Sequence, residues 1–101
     1  MLVMKFGGAS VKNADSIRNV CDIIQQFQEE PSLIVISASG KTTNHLEVLA
    51  DLARNGKEEE TLKQFEDIIN FHKGLVRDLF ADKADEVLGK VESWFVEVKR
   101  I

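Results

Sequence analysis

Two short strands rich in consecutive apolar residues most constrain how this chain can fold. The first, Leu2–Phe6, is followed by the glycine loop, Gly7–Lys12, and the second, Leu33–Ile36, by the hydroxyl segment, Ser37–Asn44. Strands with apolar residues at consecutive positions are typical of parallel sheets that are covered on both faces. Such sheets have more than two strands, and two strands alone leave unpaired edges. The pattern therefore predicts the opening part of a larger α/β domain.

The segment between the two strands has the pattern of an amphipathic helix. Asn13 is a suitable N-cap, and we expect the helix to run to about Gln28, before Pro31. The apolar positions that share one helical face are Ile17, Val20, Cys21, Ile24 and Phe27. A strand, a helix and a second strand in this order form a βαβ unit, so the strands are expected to be parallel. Cys21 is accordingly predicted to be a buried structural thiol.

The rest of the chain is predicted to be helical. After Asn44 a helix carries leucines at helical spacing and stops at Gly56, and Lys57–Glu60 is expected to be a charged connector or a helix start. Two further helices follow, and Trp94 and Phe95 are expected to pack against a sheet or neighbouring helices. The apolar positions that mark these two helices are Leu62, Phe65, Ile69, His72, Val76 and Leu79, then Val87, Val91, Trp94 and Val98.

Length and charge exclude several classes of protein. A chain of 101 residues suits one small domain. The net charge of −4 argues against a dedicated nucleic-acid-binding protein, since no basic stripe is present. No apolar run reaches the length of about 18 residues expected of a membrane-spanning helix, and the start lacks a signal-peptide pattern. The single cysteine, Cys21, cannot form an intramolecular disulfide, so a cytoplasmic protein is expected.

The two small-residue segments are candidates for ligand binding. In an open parallel sheet, ligands bind beyond the carboxyl ends of the strands, where both segments begin. The glycine loop offers groups suited to phosphates: the Lys5 charge, the Gly7 and Gly8 backbone, the Ser10 hydroxyl and the start of the following helix. The hydroxyl segment offers side chains for a small polar substrate, from Ser37, Ser39, Thr42 and Thr43. Each segment is also consistent with a plain tight turn or a helix cap.

Three other functional motifs are not matched by the sequence. Gly40-Lys41-Thr42 lacks the P-loop glycine five positions earlier, where Val35 stands, so Lys41 is expected to be solvated. Gly7-Gly8 lacks the further glycines of a dinucleotide-binding fingerprint. His45 and His72 have no metal-ligand spacing and are expected at the surface or partly packed, and no resident metal site is predicted.

The two segments resemble the signatures of the aspartokinase family. Lys5-Phe6-Gly7-Gly8-Ala9-Ser10-Val11 is similar to the family's opening motif, a lysine followed by Phe-Gly-Gly and hydroxyl residues. Ile36-Ser37-Ala38-Ser39, with Thr43-Asn44 and Leu46, resembles its second motif. The pair of motifs at this spacing is specific for the family. Residues 47–101 have the expected helical character but no family-specific residues.

The resemblance implies the fold and the chemistry. The fold class is α/β, the start of an amino-acid-kinase-like three-layer α/β/α sandwich with parallel strands, here βαβ followed by about three helices. The implied reaction transfers the γ-phosphoryl group of MgATP to the side-chain carboxylate of L-aspartate, the step that commits aspartate to lysine, threonine, methionine and isoleucine synthesis. The implied catalytic residue is Lys5, and the implied ATP contacts come from Lys5, Phe6, Gly7, Gly8 and Ser10. Ser37 and Thr43 are implied to bind L-aspartate.

Two departures limit what the chain is expected to do alone. Ala9 replaces the usual hydroxyl residue of the first motif, so a side-chain contact there is lost. Residues 1–101 resemble the N-terminal part of the catalytic domain, without the family's Gly-Glu strand or regulatory domains, so this chain alone is not expected to be active. Its unpaired strand edges favour a homo-oligomer. The alternatives are a non-catalytic helical interaction module and another amino-acid or carbamate kinase.

Overall fold

A parallel strand pair connected by one helix is followed by three more helices in the computed structural model, which describes residues 1–100. These residues fall into two compact units, Met1–Asn44 and a second unit that starts at His45. The elements are β1 (Leu2–Phe6), α1 (Ala14–Gln26), β2 (Ser32–Ile36), α2 (Thr42–Arg54), α3 (Glu58–Phe80) and α4 (Ala84–Arg100), with short 3-10 turns at Gly8–Val11 and Ala81–Lys83.

The predicted βαβ unit is confirmed in the first compact unit. β1 and β2 pair in parallel, with Leu2 opposite Ser32 at one end and Phe6 opposite Ile36 at the other. The predicted N-cap is also confirmed, because the Asn13 side chain accepts a hydrogen bond of 2.9 Å from the Ser16 amide. Val20 is 4% exposed and belongs to the small core of this unit.

The prediction that Cys21 is buried is wrong, because its thiol is exposed. Val20, Ile23 and Ile24 turn toward the interior of the unit. Cys21 is displaced by about 100° around the helix from Val20, which places it on the flank of the apolar face.

The strand pair leaves much apolar surface uncovered within the described residues. Every residue of β2 is exposed, although four of the five are leucine, isoleucine or valine. In β1 exposure alternates, with Val3 and Lys5 exposed and their neighbours in the strand half-buried. A parallel strand this apolar is normally covered on both faces, as in a larger sheet.

The second compact unit is built mainly on the hairpin of α3 and α4. Its core contains buried side chains from both helices, and Phe65 meets Phe95 edge-to-face with ring centroids 6.0 Å apart. Phe95 therefore packs as expected, whereas Trp94 is 66% exposed. The Lys73 ammonium lies 3.0 Å from a Glu92 carboxylate oxygen and links the two helices. The buried residues of this unit are Phe65, Ile68, Val76 and Ala84.

One predicted boundary shifts and one alternative is decided. α2 begins at Thr42, so the last three residues of the hydroxyl segment are helical and not part of a loop. α3 begins at Glu58, so the acidic run Glu58–Glu60 is the helix start that the sequence allowed and forms the first turn, where negative charge is favourable. No helix within residues 1–100 is long and apolar enough to cross a membrane.

Candidate functional site

The glycine loop and the hydroxyl segment leave the sheet at the same edge. The parallel register brings the ends of β1 and β2 together, and the Ser37 amide donates a hydrogen bond of 2.9 Å to the Phe6 carbonyl. Both segments belong to the first compact unit. The arrangement has the geometry of a ligand site beyond the carboxyl ends of parallel strands.

The start of the glycine loop is open on its outer side. Gly7 has an extended backbone with φ −76° and ψ 175°. A Cβ atom placed on Gly7 would have no other atom within 4 Å. The loop then closes into the 3-10 turn Gly8–Val11, in which the Ser10 amide donates to the Gly7 carbonyl at 3.1 Å. Backbone groups at Gly7 can therefore be approached closely by a ligand, as a phosphate site requires.

Gly8 makes a close backbone contact between the two segments. Its carbonyl accepts a hydrogen bond of 3.0 Å from the Gly40 amide. A Cβ on Gly8 would lie 2.5 Å from the Gly40 oxygen and 3.1 Å from the Ala38 oxygen. Gly40 itself has φ 58°, a conformation that favours glycine. The second glycine of the loop is thus required for packing between the segments.

Two hydroxyl groups of the hydroxyl segment are occupied by structural hydrogen bonds. Ser39 Oγ donates to the Val11 carbonyl. Thr42, which is 7% exposed, donates from Oγ1 to the Ser39 carbonyl at 2.6 Å. These bonds join the segment to the glycine loop and close the first turn of α2, so both side chains stabilise the site and neither hydroxyl proton is free for a ligand.

The predicted ligand-binding side chains remain at the surface. Lys5, Ser37 and Thr43 are exposed, and none of these side chains has a hydrogen-bond or ion-pair partner within residues 1–100. Strand alternation places Lys5 with Val3 on one face of the sheet. The three side chains are therefore available to a ligand.

Phe6 and Ser10 lie where the glycine loop borders α1. Together with residues of α1, among them Asn19, they line a groove of about 370 Å³. The Phe6 ring offers no polar group, so a contact between this residue and a phosphate would have to come from its backbone. Ser10 is exposed and keeps its hydroxyl available.

The two segments carry positive charge although the chain as a whole is acidic. Residues 5–12 and 37–44 contain Lys5, Lys12 and Lys41 and no aspartate or glutamate. The whole chain carries a formal charge of −4. A local excess of positive charge attracts anions and raises their concentration at the site.

Within residues 1–100 there is no group of three or more His, Cys, Asp or Glu side chains arranged to hold a metal ion.

Sequence reasoning missed the structural roles of Gly8 and Ser39. It assigned the backbone of Gly8 to phosphate binding and treated the Ser39 hydroxyl as a candidate ligand, whereas for Thr42 it also allowed a structural role at the helix start. One signal was available, because Ala38 and Gly40 are also small, and small residues in both segments indicate a close approach of two backbones.

Comparison with known proteins links the chain to kinases. The model of the amino acid kinase family matches residues 1–97. Aspartokinase of Chlamydia trachomatis is 34% identical over 100 residues, which cover 99% of this chain and 22% of that protein. Aspartokinase 1, chloroplastic, of Arabidopsis thaliana is 57% identical over 44 residues, 44% of this chain and 8% of that protein.

A fused enzyme is also similar. The bifunctional aspartokinase/homoserine dehydrogenase of Haemophilus influenzae is 29% identical over 104 aligned positions, which cover 98% of this chain and 12% of that protein. The chain thus spans less than a quarter of the length of each of these relatives.

Proposed function

The chain belongs to the amino acid kinase family, and we propose that it is the N-terminal part of the catalytic domain of an aspartate kinase. The reaction is transfer of the γ-phosphoryl group of MgATP to the side-chain carboxylate of L-aspartate. It serves the synthesis of lysine and threonine. The observation that carries the proposal is the direct contact of the two motif-bearing segments, through the Gly40 amide and the Gly8 carbonyl, 3.0 Å apart.

The residues divide into a nucleotide half and a substrate half. We assign Lys5, Phe6, Gly7, Gly8 and Ser10 to the ATP phosphates and Ser37 and Thr43 to the aspartate. Lys5 is exposed at the penultimate position of β1 and carries the charge that balances the phosphates. Gly7 has open space beside it, which suits the close approach of an oxyanion to the backbone. The Ser37 and Thr43 hydroxyls are suited to orient a polar substrate.

Catalysis of this kind needs positioning and charge stabilisation and no covalent step by the protein. The Lys5 ammonium would stabilise the negative charge of the phosphoryl group during transfer, while Mg²⁺ arrives with ATP as part of the substrate. The contact between the segments would hold donor and acceptor at a fixed separation. The side-chain carboxylate of aspartate would attack the γ-phosphorus, and ADP would leave.

The biological setting follows from the same assignment. We propose a cytoplasmic homo-oligomer that acts on small molecules and not on nucleic acid or membranes. The exposed apolar residues of β2 support association, because such a strand is stabilised by a covering layer.

The decisive experiment measures phosphorylation of a panel of acceptors by the complete protein. Acyl phosphates react with hydroxylamine, so hydroxamate formation reports phosphorylation of aspartate, glutamate and N-acetylglutamate directly, and acceptor-dependent ADP release reports phosphorylation of carbamate. We expect product from L-aspartate and not from the other three. Product from another acceptor in its place would assign a different amino-acid or carbamate kinase. Residues 1–101 alone are expected to form none.

Lys5→Ala tests the proposed catalytic group in the complete protein. Removal of a charge that stabilises the transferring phosphoryl group is expected to lower kcat about 10²–10³-fold. The matched control is Lys41→Ala, which removes the same charge from an exposed residue of the hydroxyl segment without a proposed role. It is expected to change kcat by less than about threefold, as is usual away from a reacting group. Full activity of Lys5→Ala would refute the assignment.

A further inference from the structure

We propose that Ser39 is a positioning residue for phosphoryl transfer, which sets the separation between the nucleotide half and the substrate half of the site. The inference rests on the proposed function, but the link that it describes can be tested without it. Ser39 is half-buried and lies between the proposed substrate residues Ser37 and Thr43 in the sequence.

The first observation is a side-chain link between two distant segments of the chain. Ser39 Oγ donates a hydrogen bond to the carbonyl of Val11, which lies 28 residues earlier and closes the 3-10 turn of the glycine loop. Val11 is 6% exposed, so its carbonyl belongs to a well-packed residue. A hydrogen bond to a packed group holds a segment more precisely than one to a mobile group.

The second observation is that the backbone of Ser39 is held as well. Its carbonyl accepts from the Thr42 amide at 3.1 Å and from Thr42 Oγ1 at 2.6 Å. The side chain of Ser39 thus faces the glycine loop while its backbone is anchored to the first turn of α2. The Val11–Ser39–Thr42 chain of hydrogen bonds connects the two halves of the site.

Loss of the Ser39 hydroxyl is expected to make the separation of the two segments more variable without separating them. The backbone hydrogen bond from Gly40 to Gly8 remains in the variant and keeps the segments together. Each substrate would still meet the groups that bind it, but the distance between donor and acceptor would be less well defined. A misplacement of about 1 Å costs about 10²-fold in rate. The loss therefore falls on kcat and not on KM.

The test compares Ser39→Ala, Ser39→Thr and Ser32→Ala in the complete enzyme. Ser32→Ala is the matched control, because Ser32 Oγ also donates to a backbone carbonyl, that of Glu30 at 3.0 Å, at the opposite end of β2. We expect Ser39→Ala to lower kcat about 10–100-fold, with KM for MgATP and aspartate changed by less than about threefold. Ser39→Thr keeps the hydroxyl and is expected to recover most of kcat, and Ser32→Ala to leave kcat unchanged.

Several results would overturn the proposal. One is a Ser39→Ala enzyme with the wild-type kcat, and another is a Ser39→Thr enzyme as slow as Ser39→Ala. A merely structural role would reduce the folded fraction, so kcat is normalised to the stoichiometry with which a non-hydrolysable ATP analogue binds. A fall in kcat that disappears on this normalisation counts against positioning.

Hydrogen exchange separates this proposal from the proposed function. The amides of residues 37–44 in the complete protein are expected to exchange at least about tenfold faster in Ser39→Ala than in wild type, since a local opening becomes easier. Unchanged exchange there refutes the link whatever the enzyme's substrate is. A wild-type protein that does not phosphorylate aspartate, but shows faster exchange in the variant, refutes the function and keeps the link.

Discussion

Substitution of the two adjacent glycines of the glycine loop by alanine should have opposite consequences. A methyl group on Gly8 would lie 2.5 Å from the Gly40 oxygen, and ordinary van der Waals contact begins at 3.4 Å. The backbone of the hydroxyl segment would have to move by about 0.9 Å, the difference between these two distances. A methyl group on Gly7 meets no atom within 4 Å.

The magnitudes follow from these distances. Overpacking at a close contact costs about 1–3 kcal/mol, and a weakened Gly40-to-Gly8 hydrogen bond adds about 0.5–1.5 kcal/mol. Either substitution also lowers the entropy of the unfolded chain, which raises the free energy of unfolding by about 0.4–1 kcal/mol. Gly8→Ala should therefore lower the free energy of unfolding by about 2–3 kcal/mol, whereas Gly7→Ala should leave it unchanged or slightly raised.

The assay is urea unfolding of the 101-residue chain followed by circular dichroism. With a slope of about 1.5 kcal/mol per M, the midpoint of Gly8→Ala should fall by about 1.3–2 M urea relative to wild type. In the complete enzyme, Gly7→Ala should raise KM for MgATP because the methyl group obstructs the approach of a phosphate. Equal unfolding midpoints for the two variants would refute the assigned role of Gly8.

Two further substitutions or modifications test local features of the first compact unit. Asn13→Ala removes the N-cap bond to the Ser16 amide and should lower the free energy of unfolding by about 1 kcal/mol, measured by the same urea titration. An Asn13→Ala chain as stable as wild type would contradict the capping role. The exposed Cys21 thiol should react with Ellman's reagent in native buffer within about tenfold of the rate of a free thiol. A thiol that reacts only after addition of denaturant would show that this face of α1 is covered.

The pattern of apolar residues predicted the elements well, because it depends on local periodicity. β1, β2 and α1 lie where expected, and Asn13 caps α1 through its own side chain. The start of α2 was placed too late. Thr42, a residue with modest helix propensity, enters the helix because its hydroxyl and amide both bond to the Ser39 carbonyl. Such a bond depends on the turn before the helix, which periodicity does not describe.

The location of the candidate site was predicted, but the hydrogen bonds within it were not. The prediction that the two segments meet at one sheet edge is consistent with the hydrogen bond that the Ser37 amide donates to the Phe6 carbonyl. The roles of Lys5, Ser37 and Thr43 stay predictions, supported by their exposure. Which hydroxyl groups form structural hydrogen bonds could not be predicted. Ser37 and Ser39 have similar sequence neighbours, but the Ser39 hydroxyl lies within hydrogen-bond distance of the Val11 carbonyl.

The sequence by itself determined the kind of site: a lysine and two glycines after one strand, and serines and threonines after the next, in a parallel pair. These features depend on residue type and order, and order decides which strand ends are neighbours. The tertiary structure alone decided that Gly8 serves packing, that Ser39 links the two segments and that Cys21 is exposed. Each of these depends on the distance between groups that lie far apart in the chain or on which surfaces are covered, and neither quantity is encoded in local pattern.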